Sequence, residues 1–240
     1  MRFLQLDTAD WRGSVALCQD SQVLAVESHN SDDDYSSWLL PAVGRILAAA
    51  SLTLEEVDGY AVCSGPGSFT GLRVGLTTVK AWSEIYTKPI AALSRLEAFT
   101  LSEPPSTEPF LTSCIDARRS QCFAALYTLA GHSFKLVGDE SVTSVPEFMA
   151  RVKESTTGKA VRWRTPDPAM IASAPDWPAF QSSGHRLETV NPPFAGALAR
   201  LAFQKFRTGD TRDALSLDAN YVRRSDAELY WKGNKSAYRP

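Results

Sequence analysis

The sequence predicts an α/β fold built from two pseudo-duplicated lobes, and three observations predict it. Three short apolar strands open the chain, and a similar set of three begins again at residue 110. The stretch 102–109 between the two halves is polar and rich in proline, as expected of a connector. With 240 residues, of which 44% are hydrophobic, the chain can form one large core or two smaller ones.

The first lobe is predicted over residues 1–103 and opens with an antiparallel meander, because apolar residues run together or alternate between short turns. Apolar residues then recur at helical spacing, with buried strands between the helices. The expected strands are 3–6, 13–18, 23–26, 59–63 and 90–93, and the expected helices are 35–50, 70–86 and 95–101. This element order is that of a ribonuclease-H-like half, whose fourth and fifth strands join in parallel through right-handed crossovers.

The second lobe is predicted over residues 108–224 as a degenerate copy of the first. Asp116 ends its first strand as Asp7 ends the first strand of the chain. The expected strands are 110–117, 122–127, 134–137 and 159–163, and the expected helices are one starting at 145 and one over 192–208. Asn191 is expected to cap the last helix and Gly209 to end it, and this helix is expected to pack back on the first lobe. No element is predicted over 164–190, and residues 225–240 are expected to form a tail.

Residues 63–75 contain the most specific motif of the chain. A glycine–proline–glycine turn connects a buried strand to helix 70–86, with Ser68 or Thr70 placed to cap that helix. This arrangement predicts either a cradle for an anion at the helix N-terminus or a structural turn whose glycines let helix and strand approach closely. The motif comprises Gly65, Pro66, Gly67, Ser68, Thr70, Gly71, Arg73 and Gly75.

Charge and cysteine content narrow the class of protein. Lys and Arg number 25 against 27 Asp and Glu, and this net charge of −2 argues against a strongly basic nucleic-acid-binding surface. The four cysteines lack CxxC spacing and lie in strand-like runs, so buried free thiols are expected rather than a zinc site. The first apolar stretch of the chain is short and is interrupted by a charged residue at Asp7, so it does not fit a signal peptide. No run approaches the roughly 20 apolar residues of a membrane helix. We therefore expect a cytoplasmic protein that does not enter a membrane.

Two aspartates at corresponding strand ends, Asp7 and Asp116, suggest a metal–nucleotide cleft between the lobes, as in sugar kinases and actin-like ATPases. That chemistry also needs a glycine-rich phosphate loop after each strand. Here Trp11 and Arg118 stand in those stretches, and neither stretch has the required glycine. We interpret Asp7, Thr8 and Asp116 as a vestigial nucleotide cleft, and turnover of a magnesium nucleotide is disfavoured.

No catalytic residue and no metal site are predicted elsewhere in the sequence. The three histidines, His29, His132 and His185, are far apart and lack metal-ligand spacing. Ser64 and Ser68 lie near the glycine turn, but the turn is not a Gly-x-Ser-x-Gly elbow and no histidine is placed as a base.

Five stretches of the chain resemble the TsaB (YeaZ) family, in the family's order. They are residues 6–9, 36–41, 65–75, 115–118 and 221–223. The block 65–75 is long and specific, whereas each of the other stretches would be weak alone. The sequence departs from the family pattern at Tyr35, where a histidine is frequent, and at Ser37, where an acidic residue is frequent.

The resemblance implies an actin-like ATPase (ASKHA) fold and a non-catalytic role in making threonylcarbamoyladenosine at position 37 of tRNA. It implies a heterodimer with the catalytic, metal-binding paralogue TsaD, which the ATPase TsaE joins, while a TsaC-type protein supplies threonylcarbamoyl adenylate. No cofactor of its own is implied, since the partner subunits use the ATP and the metal, and tRNA is reached indirectly through the complex. Family members alone can form homodimers through the first-lobe helices.

Helices 35–50 and 70–86 are accordingly expected to present a partner-facing surface, because their apolar stripes are wide for helices that have one solvent-exposed face. The sequence cannot separate interface from core among the candidates, which are Leu39, Leu40, Val43, Leu72, Leu76 and Val79. The alternative function is a nucleotide-dependent phosphotransferase or ATPase of the same fold.

Overall fold

Two five-stranded mixed sheets form the framework of the protein. The computed structural model describes residues 1–29, 34–103 and 108–223. The strands of the first sheet are β1 (Arg2–Asp7), β2 (Ser14–Gln19), β3 (Gln22–Ser28), β4 (Gly59–Gly65) and β5 (Ile90–Ser94). The strands of the second are β6 (Phe110–Arg118), β7 (Gln121–Ala130), β8 (Ser133–Thr143), β9 (Arg162–Thr165) and β10 (Arg186–Thr189).

The two sheets have the same topology. The spatial order is β3-β2-β1-β4-β5 in one and β8-β7-β6-β9-β10 in the other, so each runs third, second, first, fourth, fifth. In both sheets the first three strands are antiparallel, and the fourth and fifth are added in parallel beside the first. This repeat confirms the predicted two-lobe, ribonuclease-H-like architecture of the actin-like fold.

Seven helices connect and cover the strands in the described part of the chain. They are α1 (Tyr35–Ala49), α2 (Phe69–Tyr86), α3 (Arg95–Phe99), α4 (Val145–Ser155), α5 (Pro168–Ala172), α6 (Trp177–Ser182) and α7 (Ala195–Thr208). The Ser68 side chain accepts a hydrogen bond from the Gly71 amide at 3.3 Å, so the predicted cap of α2 is Ser68. Gly209 adopts a left-handed conformation and ends α7, as predicted.

The sequence prediction is wrong or incomplete in the second half of the chain. Asn191 does not cap α7, which starts at Ala195 after Phe194, so the two prolines expected inside the helix precede it. The strand expected at 159–163 is shifted to Arg162–Thr165. The unassigned stretch 164–190 holds α5, α6 and β10, which are only four to six residues long and too short to show a clear periodicity.

The helices and sheets form alternating layers. One core lies between the first sheet and the pair α1 and α2, and another lies between the second sheet and α4, α5 and α6. A third core, made with α3 and α7, joins the two sheets. Although α7 follows the second sheet in sequence, it packs against β1, β2, β3 and β5 of the first.

The four cysteines are buried and unpaired, as expected. Within the described ranges, no helix combines the length and the apolar character needed to cross a membrane. The predicted tail, residues 225–240, lies outside the residues that the structure describes.

Candidate functional site: the cleft between the lobes

The carboxylate of Asp7, at the end of β1, is enclosed by an arginine from the start of α3. Both residues are essentially inaccessible to solvent, at 0% for Asp7 and 0% for Arg95. The Arg95 Nε donates to both carboxylate oxygens, at 3.0 and 2.9 Å, and its Nη2 lies 2.8 Å from Oδ1. Burial alone would lower the pKa of Arg95. The negative charges of Asp7 and Asp10 outweigh this effect of burial and raise the pKa of Arg95 well above its usual value. Asp7 is thus held by a cation that belongs to the chain.

A second arginine extends this network to the other lobe. Arg12 bonds to Asp10 at 2.5 Å and to Asp167 at 2.8 Å, and Arg95 reaches Asp10 at 2.7 Å. Burial works against the charge of Asp10, but Arg95 and Arg12 more than compensate and hold its pKa well below the usual value. Since Asp167 follows β9, the Arg12–Asp167 pair is an ion pair between the lobes.

Asp116, the second-lobe counterpart of Asp7, has different surroundings. Its side chain is 33% exposed and is paired with Arg118 at 3.4 Å, while its backbone amide donates to Asp167 at 2.9 Å. The following turn holds Arg118, Arg119 and Ser120 in the left-handed region, at φ of 62°, 55° and 58°. This turn directs two arginines toward the cleft, where a phosphate loop would have glycines.

The glycines of the motif 65–75 serve close packing. Gly67, Gly71 and Gly75 are four residues apart in sequence, the last two on α2, and all three face the loop after β1. A Cβ would lie 2.3 Å from the Ala9 carbonyl oxygen at Gly67, and 2.1 Å from that of Thr8 at Gly71. The Thr8 hydroxyl donates to the Gly71 carbonyl at 2.7 Å, which holds this contact together. These distances support the interpretation of the block as a structural turn that sets the position of α2.

Residues 210–223 return to the first lobe and end in the cleft. Arg212 forms a backbone β-bridge with Ile90 at the edge of the first sheet. The backbone amide of Asn220 donates to the Ser64 carbonyl at 2.8 Å. Tyr221 then stacks on Phe69, with ring centroids 5.1 Å apart. Arg73 of the glycine motif completes this group, because its Nε donates to the Tyr221 hydroxyl at 3.1 Å.

The open space between these groups is a cleft of about 530 Å³, within the size range of small-molecule sites. Of the predicted site residues, it is lined by Pro66, Gly67, Ser68 and Asp116, whereas Asp7 and Thr8 lie buried behind it. The sequence interpretation missed the main side chains of the cleft, which are Asp10, Arg95, Tyr221 and Arg223. For Arg95 a signal existed, because a capped helix start at Ser94 places this arginine just after a buried strand.

The structure corrects the predicted interface positions. Five of the six, namely Leu39, Val43, Leu72, Leu76 and Val79, are between 0% and 6% exposed and belong to the core under α1 and α2. They pack against β1, β2 and β4 within the chain, so they are not available to a partner. Leu40 differs, since 57% of it is exposed.

No three histidine, cysteine, aspartate or glutamate side chains come together as a metal site among the described residues.

Residues 23–209 match the family model described as "TsaD: tRNA N6-adenosine threonylcarbamoyltransferase". The tRNA threonylcarbamoyladenosine biosynthesis protein TsaB of Escherichia coli (strain K12) is 27% identical over 238 residues, which cover 97% of each chain. The protein of the same name from Bacillus subtilis (strain 168) is 26% identical over 154 residues, or 64% of this chain and 67% of that one.

A solved structure has the same fold over most of the chain. The Pseudomonas aeruginosa protein described as similar to peptidase YEAZ superposes with a TM-score of 0.74 at 25% identity, covering 92% of this chain and 99% of that one. Matches to curated tRNA N6-adenosine threonylcarbamoyltransferases are shorter, and span only 17% to 26% of the length of those proteins.

Proposed function

The chain belongs to the tRNA N6-adenosine threonylcarbamoyltransferase (TsaD) family, as one of its TsaB (YeaZ) members, and from that premise we propose that it is a non-catalytic subunit in the synthesis of threonylcarbamoyladenosine at position 37 of tRNA. In this role it acts in the cytoplasm, where it binds and activates a TsaD-type catalytic protein. A TsaE-type ATPase joins the pair, and the partner subunits use the ATP and the metal.

The observation that carries the non-catalytic role is the pairing of Asp7 with Arg95. In the alternative function, a phosphotransferase or ATPase, the carboxylate at the end of β1 would face a metal ion in the cleft. Here both of its oxygens already accept hydrogen bonds from a buried guanidinium, at 2.9 and 3.0 Å. Releasing it would break this buried ion pair and leave Arg95 with Asp10 as its remaining counter-charge, at a cost of up to about 3–5 kcal/mol. The first lobe is therefore stabilised in a form that does not offer this ligand.

The outer face of α1 and α2 supports a role in binding a partner helix pair. Its exposed positions are small or apolar and mostly uncharged, and they include Leu40, Gly44, Ala48, Thr77, Ala81 and Ile85. Small residues let a partner helix approach closely, and Leu40 and Ile85, at 57% and 69% exposure, offer apolar anchors. We place the TsaD-type subunit on this face, and a second copy of the chain on the same face when the partner is absent.

Reconstitution tests the function directly. Purified TsaC-, TsaD- and TsaE-type proteins are incubated with unmodified tRNA, ATP, threonine and bicarbonate, with and without this chain. The modified nucleoside is then measured by mass spectrometry of digested tRNA. We expect modification only when the chain is present, and undiminished modification in its absence would contradict the proposal. ATP hydrolysis by the chain alone at a rate comparable to that of the complete mixture would favour the alternative function.

The docking face is tested with Gly44→Arg. A Cβ at Gly44 meets no atom within 4 Å, so the substitution changes the surface of α1 without disturbing the core. We expect loss of the heterodimer and of tRNA modification, with a melting temperature that is unchanged or slightly raised, since arginine favours a helix more than glycine does. The control is Leu24→Glu, at a position that is 52% exposed on β3, outside this face. Equal loss of the heterodimer in both variants, or in neither, would contradict the assigned face.

A further inference from the structure

We propose that a cavity between α4 and α6 binds a free α-amino acid, whose carboxylate contacts His185 and Lys153 and whose ammonium group contacts Asp176. The cavity lies within the second lobe, and none of its lining residues lines the cleft between the lobes. This inference does not depend on the proposed function.

The size and the walls of the cavity fit a small ligand with an apolar part. Its volume of about 290 Å³ lies just below the range of about 300–1,000 Å³ that drug-sized ligands occupy. The apolar wall is formed by Ala150 of α4 and by Ala179 and Phe180 of α6. The polar groups of the lining come from four residues, Lys153, Asp176, Ser183 and His185. A small space therefore combines an apolar surface with charges of both signs.

His185 places a hydrogen-bond donor in this cavity. Its side chain belongs to a residue that is 5% exposed, and its Nδ1 accepts from the Val161 amide and the Trp163 indole, both at 3.2 Å. Because both partners are N–H groups, the proton of the neutral ring is on Nε2. Nε2 has no hydrogen-bond partner among the described residues, and its edge of the ring is turned away from Val161 and Trp163. Since nearly all buried donors in proteins are paired, this one points to a ligand that supplies the acceptor.

The two charged groups of the cavity also lack partners. Neither Lys153, near the end of α4, nor Asp176, just before α6, forms an ion pair in the described part of the chain. Asp176 makes no capping hydrogen bond with α6 either. Ser183 donates its hydroxyl to the Ala179 carbonyl at 2.9 Å, so its oxygen is left as an acceptor. A cation with a neutral donor and an anion with a neutral acceptor are therefore available to a ligand.

A zwitterion satisfies all of these groups together. Its carboxylate accepts from the His185 Nε2–H and the Lys153 ammonium group, and its own ammonium group donates to Asp176 and Ser183. In an α-amino acid one carbon carries both charged groups, and the side chain is then placed against the ring of Phe180. A nucleotide or another dianion is disfavoured, because it brings excess negative charge beside Asp176.

The test titrates the full chain, with isotope-labelled histidine, with L-serine and L-valine, and follows the imidazole nitrogens by NMR. In the free protein we expect the proton of His185 on Nε2. Each amino acid should shift the His185 signals, whereas those of His29 and His132, which lie outside the cavity, should not move. Acetate and methylammonium each carry one of the two charges, and should bind about tenfold or more weakly than serine.

Variants of the two charged residues locate the site. We expect Lys153→Gln and Asp176→Asn each to weaken amino-acid binding by about tenfold. The matched controls are Lys135→Gln and Asp139→Asn on β8, which should bind like the unaltered protein because neither residue lines the cavity. All four positions are exposed, and circular dichroism melting verifies that the variants are folded.

The proposal is overturned if neither amino acid shifts the His185 signals at about 20 mM, or if the proton of His185 is found on Nδ1. It is also overturned if acetate or methylammonium binds as well as serine, or if the Lys153 and Asp176 variants bind like their controls.

Discussion

The two lobes share one sheet topology, yet the carboxyl ends of their first strands serve different purposes. In the first lobe Asp7 is enclosed by Arg95, and the glycine motif packs α2 tightly over the same place. In the second lobe Asp116 is one-third exposed, and the turn after it extends two arginines into the cleft. The strand end of the first lobe is closed and tightly packed, whereas the strand end of the second lobe contributes side chains that are accessible in the cleft. A shared fold therefore fixes where strand ends meet but not what chemistry they offer.

The largest expected effect comes from breaking the buried pair of the first lobe. Arg95→Met leaves the Asp7 carboxylate buried without its counter-charge, and we expect a loss of about 3–5 kcal/mol in the free energy of unfolding. Urea denaturation followed by circular dichroism measures it. In the second lobe, Arg118→Gln removes an ion pair whose arginine is 73% exposed, and we expect a change below about 0.5 kcal/mol.

The double variant Asp7→Asn/Arg95→Met sharpens this comparison. Because both charges are removed together, it should recover most of the stability lost in Arg95→Met. Equal destabilisation by Arg95→Met and Arg118→Gln would show that the lobes do not differ in the way described.

A smaller effect is expected from the glycine motif. Gly71→Ala places a Cβ 2.1 Å from the Thr8 carbonyl oxygen, and the resulting shift of α2 should cost about 1–3 kcal/mol. Gly44→Ala is the matched change on α1, where a Cβ meets open space, and should be neutral or stabilising by up to about 1 kcal/mol. Thermal unfolding of the two variants measures the difference, and a similar melting temperature for both would contradict the close-packing role.

The smallest expected effect depends on pH and belongs to the second lobe. Nδ1 of His185 accepts hydrogen bonds from the Val161 amide and the Trp163 indole, both at 3.2 Å, so the ring is neutral in the folded protein. Burial lowers the pKa of His185 below its usual value of about 6.5. The unfolded chain therefore binds the proton more readily, and stability should be complete above about pH 6.5 and decrease as the pH falls below it.

Urea unfolding at several pH values, followed by tryptophan fluorescence, checks this dependence. His185→Gln keeps a hydrogen-bond acceptor but does not titrate, so its stability should vary less with pH in this range. A steeper dependence in the variant would contradict the role of His185. The described first lobe has no equivalent, since its histidine, His29, is not among the buried residues.

Most of the elements of the first lobe could be predicted from the sequence. The five strands of its sheet and helices α1 and α2 lie within two residues of their expected bounds, because apolar periodicity and turn residues act over short distances. The cap by Ser68 is equally local. In the second lobe the prediction fails where elements are short, at α5, α6 and β10, at the end of β8, which runs six residues beyond its expected bound, and at Asn191, which does not cap α7.

The candidate site could be predicted only in part. Asp7, Asp116 and the glycine motif were found because strand ends and glycine turns have a local signature. The partners of these residues were not found, since Arg95 is 88 positions from Asp7 and Asp167 is 155 positions from Arg12.

The sequence by itself thus determined the order of the elements, the repeat of the lobes and the family to which they are similar. Only the tertiary structure decided that Asp7 is neutralised by Arg95, that five of six apolar candidates on α1 and α2 face the core, and that Tyr221 returns to line the cleft. The physical reason is the range of the interactions. Periodicity and capping depend on neighbours in the chain, whereas burial and ion pairing depend on which distant segments the fold brings together.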